Sequence, residues 1–383
     1  MVKIEFKNVV KIFGKKEKSK TVINDMSFEV SHGDFFGIIG SSGSGKTTVL
    51  RMIAGLENPT HGTISFDDHA VSSNGKILVP VEDRNIGMVF QNWALYPHMT
   101  NFENIAFPLR AKRVPHEEVK RKVEYLAELL NIKEALNQRP GTISGGQQQR
   151  VSVCRALAKD PSLLLLDEPF SNLDATIKDS ARSLVRKVQK DLGITAIIVS
   201  HDPADIFAFA PRTLCITNGT NGQTDNTTDL YHKPNTIDVA KSIGEINLLM
   251  TRIEPSGGSY AAMIGDESKL QLEKDELRLN AGNGSAGSII LGIRPEDIRI
   301  AQAPGLAAGE AVDWIKLCPA TVKISSYSSG IFRILMQIKG VEADVATTSE
   351  MPLPPGQAVH IYVRRHEIKF FDAQGNNVKR YGN

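Results

Sequence analysis

Gly40-Ser41-Ser42-Gly43-Ser44-Gly45-Lys46-Thr47 fits the spacing G-x-x-x-x-G-K-[ST] at every position. Glycines at these places let successive backbone N–H groups turn inward around phosphate oxygens, and a helix opening at Lys46 would add the positive end of its dipole. Lys46 is long enough to reach terminal phosphates. The Thr47 hydroxyl is a hard oxygen donor suited to Mg²⁺, and Thr48 follows it into the same helix. The chemistry implied is binding of a nucleoside triphosphate. Further along, Leu163-Leu164-Leu165-Leu166 ends in Asp167-Glu168. Beside a phosphate loop, Asp167 suits a magnesium role and Glu168 can orient or deprotonate an attacking water. Taken without the loop, two acids after an apolar run are equally a solvated strand end.

These side chains need elements to hold them. Phe35–Ile39, Leu163–Leu166 and Ala196–Val199 are short apolar runs that predict buried strands, each ending in a polar cluster. Open α/β sheets place ligands at that carboxyl edge. Gly55 is placed to end the helix that follows the loop. Between the first two strands, Pro115 opens a helix with Val119, Val123, Leu126 and Leu130 on one face, which predicts a helical insertion. After Pro234 the texture changes. Ser256-Gly257-Gly258 and the run from Ala281 to Gly287 are turn-rich. Phe332, Ile334, Met336 and Ile338 alternate with Arg333, Leu335 and Gln337, and Val359, Ile361 and Val363 repeat the pattern. Such strands predict a small β-barrel or sandwich.

Composition sets the limits. At about 150 residues per domain, 383 residues give two or three domains. A chain 41% hydrophobic and 23% charged is expected to fold. Lys+Arg at 45 against Asp+Glu at 43 leaves +2, which argues against a protein built to neutralise nucleic-acid phosphates. Cys154, Cys215 and Cys318 are isolated, which fits neither a disulfide framework nor a thiolate metal site. No apolar run reaches the length of a membrane-spanning helix, and the N-terminal MVKIEFKNVV alternates like a strand rather than a signal peptide.

Ile143-Ser144-Gly145-Gly146-Gln147-Gln148-Gln149-Arg150 resembles the signature of ATP-binding-cassette (ABC) ATPases, with Ile143 where Leu is commoner. Ser144, Gly145, Gly146 and Gln147 would open a second anion-binding helix N-terminus. A single ATP needs one such cradle. In the family the second faces the γ-phosphate held by the other subunit, so ATP joins two subunits. The resemblance extends to Gln91, similar to the Q-loop glutamine that senses Mg²⁺ and the attacking water; to Ser171-Asn172-Leu173-Asp174, similar to the D-loop at the dimer interface; and to His201, similar to the switch histidine that contacts the γ-phosphate. Phe13 stands where the family stacks an aromatic ring on adenine, and a core role for it is an open alternative. Implied cofactors are ATP and Mg²⁺, with Thr47, Gln91 and Asp167 around the metal and Glu168, His201 and Gln91 as the catalytic set.

Leu291-Gly292-Ile293-Arg294-Pro295-Glu296-Asp297 resembles a marker of the carboxy-terminal barrel in sugar- and polyamine-type importer ATPases. Phe66-Asp67-Asp68, Ser72–Lys76, Glu82–Gln91 and Ser200–Phe207 are similar to the ATP-binding subunits of archaeal glucose importers. In the family, the segment Trp93-Ala94-Leu95-Tyr96-Pro97 receives a coupling helix from the membrane subunit. The resemblance implies an α/β cassette, a RecA-like core plus a helical subdomain at about 92–160, over residues 1–235. An all-β OB/TOBE-like regulatory domain would follow over 236–383. It implies an ATPase at the cytoplasmic face of the membrane. Its partners would be a second copy or a paralogous ATPase subunit, two transmembrane permease subunits and, indirectly, an extracellular solute-binding protein, with no nucleic acid. The expected cargo is a sugar, with a polyamine, ferric ion or other small solute as the alternative. A soluble cassette acting on DNA or the ribosome is disfavoured, because the interval from Lys46 to Ser144 has no room for a long coiled coil and one cassette is visible rather than two. A third reading gives the β-rich end its own ligand site, lined by Arg364, Arg365 and Lys369, with solvated surface charge as the alternative.

Overall fold

The structure is a computed structural model that describes residues 1–14, 18–257, 259–272, 277, 287–301, 313–328 and 330–379. The described chain divides into two compact units, Met1–Leu230 and Tyr231–Asn383. The expected boundary at 235 falls inside the second.

In the first unit the sheet that carries the chemistry has the strand order Thr220–Asn226, Arg212–Thr217, Phe35–Ile39, Thr195–Ser200, Leu163–Asp167, Ile86–Val89. All neighbours run parallel except the edge pair of Thr220–Asn226 and Arg212–Thr217. Every residue of Phe35–Ile39, Leu163–Asp167 and Thr195–Ser200 is buried. This explains their unbroken apolar runs, since a parallel strand covered on both faces has no solvent side to mark with polar residues. Ile39 lies opposite Ser200, Asp167 opposite Val199 and Val89 opposite Leu166. The loops after these four strands therefore leave from the same carboxyl edge.

A five-stranded antiparallel sheet, ordered Lys20–Val30, Ile4–Phe13, His61–Phe66, His69–Ser73, Lys76–Ile77, shares one core with the parallel sheet and with the helix Lys46–Ala54. That helix ends at Gly55, whose φ of 82° is left-handed. Beneath its end lies Arg84, only 3% exposed. One guanidinium nitrogen donates to the carbonyls of Met52 and Ile53 at 3.0 and 2.7 Å, the other to Val71 O and Ser72 Oγ at 2.9 and 2.7 Å, and Nε donates to Val79 O at 2.9 Å. A buried cation thus satisfies the free carbonyls at the end of the helix opposite Lys46, and burial lowers its pKa to about 10.

The helices Asn101–Ala111, His116–Leu129 and Gly145–Leu157 form the insertion. Asn101–Ala111 begins with a capping box between Thr100 and Glu103. Val119, Val123, Leu126 and Leu130 are all buried, as their spacing predicts.

The second unit contains two five-stranded antiparallel sheets around one apolar core. On Ile331–Gln337, Ile334 and Met336 point inward, and on Ala358–Arg364 so do Val359, Ile361 and Val363. Of the turn-rich stretches, Gly258 and residues 281–286 lie outside the described residues. The proposed ligand-site or surface-charge reading of Lys369 is corrected. It is 2% exposed, pairs with Asp297 and Glu367 at 3.4 Å each, and belongs to the interior. Arg365 donates to Gln271 O at 2.7 Å, while Arg364 is exposed and lies over the Trp314 ring.

Replacing Arg84 with Met would remove the guanidinium donors of the Ile53 and Val79 carbonyls, whereas Met52 O and Val71 O keep backbone donors. We expect the first unit to lose about 3 kcal/mol of stability, measured as a lower urea midpoint with an unchanged m-value. A midpoint equal to that of the parent chain would contradict this role.

Candidate nucleotide site

The loop at 40–47 is shaped by glycines with positive φ at 40, 43 and 45. Gly45 has φ 106°, and a Cβ there would lie 2.5 Å from Ile23 Cδ1. At Gly40 a Cβ would lie 2.4 Å from the carbonyl oxygen of Ile216. The loop must therefore run tight against the two neighbouring strands. Lys46 opens the helix and is 5% exposed. Its ammonium donates to the carbonyls of Gly40 and Ser41 at 2.9 and 3.0 Å. Burial pulls its pKa down, opposed by the nearby charges of Glu168 and Asp167.

Thr47 Oγ1 donates to Asp167 Oδ1 at 3.1 Å. Burial raises the Asp167 pKa, and the Thr47 bond opposes the rise. A hydroxyl and a carboxylate in contact, at the edge of a phosphate loop, form the hard-oxygen donor set that Mg²⁺ takes. Among the described residues no group of three His, Cys, Asp or Glu side chains is arranged to hold a metal alone. The residues present therefore fit a metal whose remaining ligands are water and substrate phosphates rather than one caged by protein.

Glu168 follows in an unusual backbone state, φ 45°. Its N–H donates to Val199 O at 2.9 Å, and its carbonyl accepts from Ser171 Oγ at 2.9 Å. The left-handed turn directs the carboxylate into a group of polar side chains. Gln91 Nε2 donates to Glu168 Oε2 at 3.3 Å, and His201 Nδ1 lies 3.0 Å from the same oxygen. Residues from three strand ends thus meet at one carboxylate. They enclose a cleft of about 470 Å³ whose walls include Ser42, Gly43, Lys46, Thr47, Thr48 and Val22, a volume within the range of small-ligand sites.

Other predicted residues stand elsewhere. Ser144, Gly145, Gly146, Gln147 and Asp174 do not line this cleft. Ser144 caps the helix Gly145–Leu157: its Oγ accepts from Gln147 N at 3.3 Å, and Gln147 Oε1 accepts from Ser144 N at 3.0 Å. Ser144 and Asp174 are exposed, and Asp174 Oδ makes no capping bond to the helix it precedes. Phe13 is 38% exposed at the end of its strand and also lies outside the cleft lining, with the Lys11 ammonium 4.6 Å from its ring centre. Sequence reasoning missed Asn172 as a contact to the Q-loop. Its amide donates to Gln91 O at 3.0 Å and to Asn92 Oδ1 at 3.3 Å. It also missed Arg84, whose partners are mostly backbone carbonyls.

A second depression, about 390 Å³, opens on the helical side between Met88, Phe90, Tyr96, Phe107, Arg155 and Lys159. Of the segment 93–97, Ala94 and Tyr96 line it and Trp93 does not. A Cβ on Gly145 would lie 3.3 Å from the Trp93 indole, so that ring packs against the start of the signature helix.

The ABC transporter family profile matches residues 23–171, and the profile of the glucose ABC transporter C-terminal domain matches residues 312–372. The chain is 46% identical to the glucose import ATP-binding protein GlcV of Saccharolobus solfataricus, over 97% of this chain and 99% of that protein. It is 37% identical to the trehalose/maltose import ATP-binding protein MalK of Thermococcus litoralis, over 97% and 98%. It is 35% identical to the sn-glycerol-3-phosphate import ATP-binding protein UgpC 2 of Agrobacterium fabrum, over 100% and 96%. Among solved structures, a dimeric ATP-binding cassette in a post-hydrolysis state with ADP and Pi superposes with a TM-score of 0.53 at 30% identity, covering 58% of this chain and 98% of that one. No helix among the described residues is long and apolar enough to cross a membrane. With these relatives, and with the phosphate loop, paired carboxylates and signature helix in place, the chain belongs to the ATP-binding subunits of ABC transporters.

Proposed function

We propose that the chain hydrolyses ATP to drive sugar import, as one of two cassettes that close on two nucleotides at the cytoplasmic face of a membrane. The observation that carries the reading is the convergence of Gln91 and His201 on Glu168 in a cleft floored by Lys46, with the signature helix outside that cleft. Substrate phosphates would take the donors of the loop, and Lys46 would exchange its carbonyl partners for phosphate oxygens. Thr47, Asp167 and Gln91 would hold Mg²⁺, which when bound neutralises phosphate charge. Glu168 would accept the proton of the attacking water, with His201 and Gln91 fixing the carboxylate and the water's approach.

Ser144, Gly145, Gly146, Gln147 and the exposed Asp174 would complete the site of a second cassette, a copy of this chain or a paralogue. A free helix N-terminus favours an anion, and the nucleotide of the facing subunit supplies one. Phe13 is assigned to adenine stacking. The groove around Tyr96 and Phe107 would seat a helix of each of two permease subunits, with a solute-binding protein delivering cargo outside. A sugar cargo is supported by the GlcV and MalK relatives. The relative named for sn-glycerol-3-phosphate keeps a phosphorylated polyol in view, and the cargo is identified by which solute the copurifying permease complex stimulates on.

Glu168→Gln preserves shape and hydrogen bonding but removes the base. Its steady-state hydrolysis should fall at least about a hundredfold with ATP still bound, measured by phosphate release and equilibrium binding. Unimpaired hydrolysis would remove Glu168 from this role. Phe107, 41% exposed in the groove, offers the partner test. Phe107→Glu should abolish copurification with the permease while leaving ATP affinity within about twofold, and retained copurification would move the docking surface elsewhere.

A further inference from the structure

The segment joining Gln91 to the helical subdomain is held in a shape that it would not keep alone. Trp93 and Ala94 are consecutive left-handed residues, φ 55° and 49°, a state disfavoured for residues with side chains. One helix clamps them. Ser152 Oγ donates to Trp93 O at 3.1 Å, and the Arg155 guanidinium donates to Trp93 O and to Ala94 O, both at 2.7 Å. The same guanidinium lies 5.8 Å from the centre of the Tyr96 ring and lines the groove. On the opposite side Asn172 holds the carbonyl of Gln91, and the Gln91 amide reaches Glu168. Contacts therefore run from Tyr96 through Arg155 to the 93–94 carbonyls, and the backbone through Asn92 carries the path on to Gln91, which touches Glu168.

We propose that Arg155 is a positioning residue that couples occupation of the groove to the placement of Gln91 at the hydrolytic carboxylate. This rests on the reading of Glu168 and the groove given above. A partner pressing on Tyr96 shifts the guanidinium. Release of its two carbonyls lets Trp93 and Ala94 relax to ordinary backbone geometry, and Gln91, two residues away, moves with them. The clamped and relaxed backbones are the two arrangements that such coupling requires.

The sequence has two tryptophans, so Trp314→Phe leaves Trp93 as the sole reporter. In that background Arg155→Met should lower kcat about tenfold while KM and ATP affinity stay within about twofold. The Trp93 emission should shift to the red before ATP is added and lose its response to MgATP. Arg155→Lys, which keeps the cation and can serve one carbonyl, should lie between. Tyr96→Ala should lower kcat on its own but change nothing further in the Arg155→Met chain, the non-additivity expected of coupled residues. If Arg155→Met does not fold, Ser152→Ala removes one bond of the same clamp and should give a smaller fall in kcat with the same emission shift. An unchanged kcat and emission response, equal losses of kcat and ATP affinity, or strict additivity with Tyr96→Ala would each overturn the proposal. Failure of the underlying reading is separate: it is seen as normal turnover by Glu168→Gln in a chain with Arg155 intact.

Discussion

One carboxylate oxygen of Glu168 ties the first unit together. It receives Gln91 from just beyond Ile86–Val89 and His201 from just beyond Thr195–Ser200, while Glu168 itself directly follows Leu163–Asp167. That meeting is achieved only because the three strands are parallel neighbours in register, and because Glu168 takes a left-handed turn at φ 45°. Backbone strain at such a position persists when the surroundings over-determine it. Here the surroundings are the Val199 carbonyl holding its N–H and Ser171 holding its carbonyl. The parallel sheet, the helix after Lys46 and the Arg84 anchor beneath that helix all serve to keep the phosphate loop opposite this oxygen.

The second constraint is one of incompleteness. Of the helix N-termini at Lys46 and at Gly145, only the first opens onto the cleft. Ser144 and Gln147 satisfy each other in a capping box, so the signature helix is stable without a nucleotide. At its start Ser144 is exposed, while Gly146 is buried.

Much of this was legible in the sequence, and the reasons differ by element. The phosphate loop is written in fixed spacing because a Cβ on Gly40 would meet the Ile216 carbonyl and Gly45 holds φ 106°, a state that disfavours side chains. The central strands are legible because burial on both faces leaves their middles apolar, with polar residues such as Asp167, Thr195 and Ser200 confined to strand ends. The side chains that meet at Glu168 were legible as strand-end residues, although their convergence on one oxygen required the strand order. Arg84 and Arg155 were not legible as anchors. Their partners are mainly backbone carbonyls, which leave no residue-type trace, and an arginine in sequence looks like surface charge. Lys369 misled for a different reason: its partners are carboxylates, but Asp297 is distant in sequence and only the fold brings it, with Glu367, to a buried ammonium. In the C-terminal unit the alternation of Ile334, Met336, Val359, Ile361 and Val363 gave the inward faces, because strands with one buried side must alternate.

If two copies pair as proposed, Ser144 acts on the nucleotide held by the other copy and not on its own. The most direct measurement is sedimentation of the Glu168→Gln chain with and without MgATP, repeated with Ser144→Arg added. MgATP should double the mass of the single variant. In the double variant no doubling is expected, while each monomer still binds ATP with affinity within about twofold of the parent. Doubling that survives Ser144→Arg, or loss of ATP binding by the monomer, would contradict this role of Ser144.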